Sequence, residues 1–321
     1  MKWLSYRKLA KQAERLGINR LVRMIGSWRG LLVLTYHRVG NADACSFDRG
    51  VFSADEQLFR QQMEFVRDHF EVVTIVDVIE KPAHYWQHRQ AVLITFDDGY
   101  VDNYEIAFPI LKQLGIPALF FVATDFIDHQ TIAWWDEIAW MMRQIPTDET
   151  ADERDDKICE VVERYYGMIG SQADDYLEQL GRDLGCGRFK GKSPLWMNWD
   201  MLREMAANGM RFGGHTVTHP ILTRIDESRL DHELSAGKRR LEAETGTAVE
   251  AFSYPVGNPD CLSVQLMEQT ARQYQVAFSC YGGVNHASRG SRWNRLNLQR
   301  WPIYGPMRQF RITVTWPQLQ N

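Results

Sequence analysis

The sequence has no apolar run near the roughly 20 residues that a bilayer-spanning helix needs. It also lacks a cysteine framework. The five thiols, Cys45, Cys159, Cys186, Cys261 and Cys280, are scattered, odd in number and never spaced C-x-x-C. That pattern favours free, reduced thiols over disulfides. An excess of basic charge is missing too: 37 Lys and Arg stand against 41 Asp and Glu, which argues against a general nucleic-acid binder. No internal repeat or low-complexity tract breaks the chain. The first residues show no apolar core followed by a small-residue cleavage site, so no secretory leader is expected and the expected setting is cytoplasmic.

What is present is uneven. Residues 1–30 carry Lys2, Arg7, Lys8, Lys11, Arg15, Arg20, Arg23 and Arg29 against Glu14, with Leu4, Leu9, Leu16, Leu21 and Ile25 at loosely helical spacing. This reads as a basic amphipathic helix, either packed on the domain or lying on an anionic membrane surface, which would make the protein peripheral at the inner membrane face. From residue 31 to 321, strand-like runs alternate with helical ones. The runs are Leu31–His37, Val72–Val78, Ala91–Asp97, Ala118–Thr124, Met210–His215, Val249–Tyr254, Val276–Cys280 and Leu298–Ile303. Between them, Phe59, Met63 and Val66 share one helix face, and Ala107, Ile110, Leu111 and Leu114 another that stops at Gly115. A third helix runs from about Asp226 to Thr245 and stops at Gly246. Such alternation predicts parallel βαβ units. About residues 126–198 it fails: that stretch holds helical segments and no good strand. It is too long for an ordinary loop and reads as a helical insertion.

Three signals carry chemistry. The apolar run ending in Phe96 meets Asp97, Asp98 and Gly99. Functional groups gather at the C-terminal ends of parallel strands. Two adjacent carboxylates repel unless a cation or proton intervenes. Taken alone, the same residues also suit a capped strand–helix loop. The second signal is His215-Thr216-Val217-Thr218-His219-Pro220, again after a strand-like run. Histidines four apart can meet on one metal if the backbone turns tightly, and together with an aspartate they make a facial triad with open positions. The third is Phe252-Ser253-Tyr254-Pro255-Val256-Gly257. Alone it says only "turn"; beside the others, its backbone N–H groups can bind an oxyanion.

The chain resembles the polysaccharide deacetylase family (carbohydrate esterase family 4). Thr95 to Gly99 looks like the family's first motif, His215 to His219 its second, and Phe252 to Gly257 sits where the third belongs. Tyr36-His37-Arg38-Val39 resembles one branch of the family. The likeness covers roughly residues 31–305 apart from the insertion. It implies a distorted parallel (β/α) barrel with fewer than eight strands. It also implies Asp97 as catalytic base, and Asp98, His215 and His219 as ligands of a divalent metal, commonly Zn2+. Thr216 would brace the histidine loop, and Val256 and Tyr254 would hold oxyanion and substrate. Two departures stand out. Ser253 replaces an arginine that orients the catalytic aspartate in many relatives, and Arg300 on the late strand is expected to take its place. The Leu-x-His that supplies the acid in many relatives is missing, since the region reads Leu296-Asn297-Leu298-Gln299-Arg300. His37 is the first choice of acid and His286 the second.

The implied substrate is an N-acetylated glycan of a polysaccharide or glycolipid in cell-surface glycan biosynthesis, with Trp134, Trp135, Trp196, Trp199, Trp301 and Tyr304 able to offer stacking faces or simply to pack the core. Two other readings stay open. One is a non-catalytic glycan-binding protein on the same fold. The other is an Fe(II) oxygenase, since two histidines and a carboxylate also suit iron.

Overall fold

In the computed structural model, the described residues are 28–317, apart from 82–85, 87–88, 167, 169–170 and 287–292. The expected basic helix at 1–30 therefore lies almost entirely outside them.

The strands are β1 (Gly30–Tyr36), β2 (Arg38–Val39), β3 (Phe52–Ala54), β4 (Glu71–Val72), β5 (Gln90–Phe96), β6 (Leu119–Val122), β7 (Arg211–Gly214), β8 (Ala251–Ser253), β9 (Val276–Phe278) and β10 (Trp301–Pro302). The helices are α1 (Glu56–His69), α2 (Ile75–Glu80), α3 (Phe108–Leu114), α4 (Thr124–His129), α5 (Trp134–Arg143), α6 (Ala151–Tyr166), α7 (Ser171–Asp183), α8 (Trp199–Ala207), α9 (Glu227–Thr245), α10 (Val264–Ala271) and α11 (Met307–Thr315).

Seven strands form one parallel path, β10-β1-β5-β6-β7-β8-β9, with β4 pairing β5 off it. The path curls. Leu298 bridges to Phe278 of β9, and a few residues later Trp301 and Pro302 pair with Leu34 and Thr35 of β1. One short segment thus spans both ends of a half-barrel.

The period of two sets what faces inward. Leu31 and Val33 of β1, Ala91 and Leu93 of β5, Leu119 and Phe121 of β6, Ala251 of β8, Val276 and Phe278 of β9, and Leu298 form one buried cluster inside the curl. The alternate residues, such as Leu32, Leu34, Tyr36, Ile94, Phe96, Phe120 and Phe252, join a second cluster under the helices. There Phe59 of α1 packs on Tyr36 and Phe96, with ring centroids 5.2 and 5.8 Å apart.

Helix ends follow their local chemistry. Asp55 accepts the Leu58 N–H at 2.7 Å to start α1, and Asp226 caps α9, which stops at Gly246 with φ 66°. One expected strand is corrected. Of Val72–Val78 only Val72 is in a strand, and Ile75 onward is helix α2. Thr74 and Asp77 exchange hydrogen bonds in a capping box (3.1 and 2.8 Å), which starts a helix within an apolar run too short for its periodicity to decide. Between β6 and β7 the described residues hold helices α4–α8 and no strand. None of the described helices is long and apolar enough to cross a membrane.

Candidate metal centre and active site

The site crowns the inward-facing columns. On β5 the alternation Ala91, Leu93, Thr95 continues to Asp97, so its carboxylate projects into the barrel mouth, and its N–H is tied to the Tyr36 carbonyl at 3.0 Å. On the closing segment the same alternation carries Leu298 to Arg300. Arg300 is fully buried and grips Asp97 with two bonds, Nη1–Oδ1 and Nη2–Oδ2, both 2.7 Å. Nη2 also donates to Ser253 Oγ at 2.7 Å, and Nε to the Ser279 carbonyl at 3.1 Å. The small Ser253 leaves the guanidinium room to arrive from the opposite strand. Burial by itself would raise the Asp97 pKa, but the Arg300 and His215 charges outweigh it and hold the carboxyl well below the usual carboxylate range.

Asp98 turns away with φ 74°, and Gly99 follows at φ 94°. The turn swings its carboxylate toward the loop after β7. There His215 Nε2 and His219 Nε2 lie 3.1 Å apart, and Asp98 Oδ1 lies 3.3 and 3.4 Å from them. All three side chains are buried. Among the described residues Asp98 Oδ1 is buried without a hydrogen-bond partner, and both histidine Nε2 atoms face it, so three buried donor atoms converge on one point. A carboxylate and two imidazoles at this spacing fit a divalent cation. His215 Nδ1 donates to the Ser253 carbonyl at 2.7 Å, which leaves Nε2 as the lone-pair nitrogen. Burial and the neighbouring His215 push His219 down to about 4, toward the neutral form that ligates.

The histidine loop is held by groups outside the motif. Thr216 Oγ1 accepts the His219 N–H at 2.9 Å and donates to the His215 carbonyl. Glu233 of α9, buried, accepts the N–H groups of Val217 and Thr218 at 2.7 and 2.9 Å. α9 can sit this close to the loop because Gly237 has no side chain: a Cβ there would lie 2.9 Å from the Thr216 carbonyl oxygen. Of the five non-glycine residues with positive φ among those described, Asp98, Thr216, His219 and Val256 belong to this site. Such strain clusters where a geometry must be held.

A cavity of 270 Å³ opens over these groups. His37, Asp97, Asp98, His215, His219 and Val256 line it. The π-turn of Asn103–Ala107 lets Asn103 donate to the His37 carbonyl at 2.7 Å, while among the described residues His37 Nδ1 is buried without a partner. Among the described residues the Val256 N–H has no hydrogen-bond acceptor.

Two expected residues stand elsewhere. The Tyr254 side chain does not line the cavity; it packs on Phe252 at 5.4 Å and donates to the Leu296 carbonyl at 3.0 Å, because alternation along β8 turns it to the helix side. His286 is exposed at the other end of the sheet, next to Asn285, which pairs with Leu31 at the start of β1. Of the six aromatics considered for stacking, Trp134, Trp135 and Tyr304 line the cavity. Trp196 is buried against Phe126, Trp199 packs on Arg240, and Trp301 lies over Gly282. Sequence reasoning missed Tyr166, at the end of α6, and Asp48, in the loop before β3, both of which line the cavity. Asp48 takes its place through its N–H, which donates to buried Asp136 at 3.1 Å. No local motif marks either residue.

The family model described as Polysaccharide deacetylase matches residues 85–275. The Bacillus subtilis (strain 168) protein YxkH is 30% identical over 246 residues, covering 77% of this chain and 63% of its own length. The poly-beta-1,6-N-acetyl-D-glucosamine N-deacetylase of Staphylococcus epidermidis is 30% identical over 106 residues, 30% of this chain and 37% of that enzyme. The chain thus spans less than two thirds of the length of either relative. In structure, the Streptococcus pyogenes deacetylase PplD superposes with a TM-score of 0.60 at 18% identity, over 90% of this chain and 99% of PplD. That likeness shows the shared fold.

Proposed function

Because this chain belongs to the polysaccharide deacetylase family, we propose that it hydrolyses N-acetyl groups of amino sugars in a polysaccharide or glycolipid, in a metal-dependent reaction. The observation that carries the reading is the separation of two adjacent aspartates: Asp97 faces Arg300, and Asp98 faces the two histidines.

Asp98, His215 and His219 would hold the metal, and the donor set favours zinc. When bound, such an ion supplies a Lewis acid for the acetamide carbonyl. The other roles belong to the chain. Asp97, kept ionised and oriented by Arg300, takes a proton from the attacking water. The free Val256 N–H donates to the developing oxyanion. His37, whose Nδ1 has no partner among the described residues, gives a proton to the departing sugar amine. Acetate and a free amino sugar result.

The likeness to the Staphylococcus epidermidis enzyme supports a place in exopolysaccharide assembly. The basic residues 1–30 support peripheral contact with an anionic membrane; liposome co-sedimentation of chains with and without them tests that part. The reaction is tested by acetate release from a panel of N-acetylated glycans with zinc-loaded, chelated and Asp97→Asn protein. Acetate that depends on both metal and Asp97 supports the reading. Acetate from none of them, with metal bound, favours a glycan-binding protein on this fold.

A further inference from the structure

A second pocket, of 290 Å³, adjoins the metal cavity and shares two walls with it, His219 and Trp134. Its far side is built by the segment after the histidine loop and by helices α5–α7. Charged groups line it: Arg188, Arg224, Arg229, Asp125 and Glu137. Most are committed to partners. Arg188 holds Glu137 through two bonds of 2.7 Å, and Glu137 also accepts the Phe189 N–H. Arg229 faces Glu233 at 3.6 Å. Asp125 bonds His129 at 2.6 Å and the Thr131 hydroxyl at 3.0 Å.

Arg224 differs. It is half-buried at the end of the short turn Leu222–Arg224, five residues past His219. Among the described residues its guanidinium makes one hydrogen bond, from Nη1 to the Met168 carbonyl at 3.1 Å, and pairs with no carboxylate. That bond holds the guanidinium between the histidine loop and the helices beyond α5, with its other donors unpaired among the described residues. A guanidinium has five N–H donors in a planar fork that matches carboxylate and phosphate. Removing it from bulk water without a counter-ion is unfavourable, and a bound anion relieves this.

We propose that this pocket binds an anionic group on the glycan, a carboxylate or a phosphate ester on a sugar next to the one being deacetylated, with Arg224 as its main contact. The inference rests on the proposed deacetylase reading for its substrate, while the pocket's affinity for anions can be measured without turnover.

Acetate release is compared for three oligosaccharides of equal length: neutral N-acetylglucosamine oligomers, oligomers alternating with glucuronate, and N-acetylglucosamine oligomers bearing a phosphate monoester. Wild type is expected to favour at least one acidic substrate over the neutral one by about 10-fold or more in kcat/KM, through KM. Arg224→Gln should bring that ratio near one, and Arg224→Lys should retain part of it. Which acidic substrate shows the preference identifies the anion. A ratio near one in wild type, or the same ratio in Arg224→Gln, overturns the proposal. If no substrate releases acetate, the function reading fails, and calorimetry with glucuronate and with inorganic phosphate decides the pocket. Binding weakened about 10-fold or more in Arg224→Gln supports it; equal or absent binding overturns it. Thermal melts of both variants confirm that they fold.

Discussion

Replacing Arg300 by methionine removes the counter-ion of a carboxylate that is almost wholly buried. The paired side chains are 0% and 4% exposed, and both bonds between them are 2.7 Å. At an effective dielectric of about 20, two charges roughly 4 Å apart interact by about 4 kcal/mol. Breaking a buried pair from one side costs about 3–5 kcal/mol by experience with other proteins. The two routes agree. At roughly 2 °C per kcal/mol for a chain of this size, Tm should fall by about 8 °C. Asp97→Asn should also destabilise, by leaving the Arg300 charge buried. The double variant removes both charges and should recover much of the loss, with a coupling on the order of 2–3 kcal/mol. Urea melts of wild type, both single variants and the double variant give the cycle. Single-variant costs that simply add, within about 0.5 kcal/mol, would refute the argument that each charge is tolerated only because of the other.

Asp98→Ala should abolish metal binding while Asp97→Asn keeps the metal, read as bound metal per chain after dialysis; equal loss in both refutes the division of roles. His37→Ala should lower kcat by about 10²–10⁴ with metal retained, and near-normal kcat removes it as the acid. Asp136, fully buried, is pushed up to about 7, first by burial and then by the nearby Asp48 charge. From about pH 4 to its folded value, the folded chain keeps a proton that the unfolded chain has released. Stability should therefore fall as pH rises through that window, by on the order of 4 kcal/mol, and level off above it. In chelated protein, Asp136→Asn should flatten the slope between pH 5 and 8, and an unchanged slope would refute the assignment.

Much of this arrangement was legible because it follows from alternation. The β5 column ending in Asp97 and the late column ending in Arg300 can be read off the sequence once the strands are placed. The same rule, applied to Phe252, Ser253 and Tyr254, puts Tyr254 on the helix side; the turn context drew attention away from it. Val72–Val78 shows the limit of an apolar run, where two polar side chains, Thr74 and Asp77, decide the conformation. Asp48, Tyr166, Glu233 and Arg224 were not legible as site residues. Each comes from a loop or helix with no motif of its own; packing brings the first three to the cavity or the histidine loop, and Arg224, five residues past His219, lines the neighbouring pocket.

The closing segment has a consequence for synthesis. Asp97, Asp98 and both histidines leave the ribosome well before Arg300 does. Until Trp301 and Pro302 dock on β1, the Asp97 carboxylate has no counter-ion from the opposite strand and the curl stays open. A nascent chain would gather its proposed metal ligands early and still lack the partner that orients its proposed base. The proposed hydrolysis would therefore begin only when the first and last strands of the sheet meet, and fragments released before that point would carry the family's motifs without it.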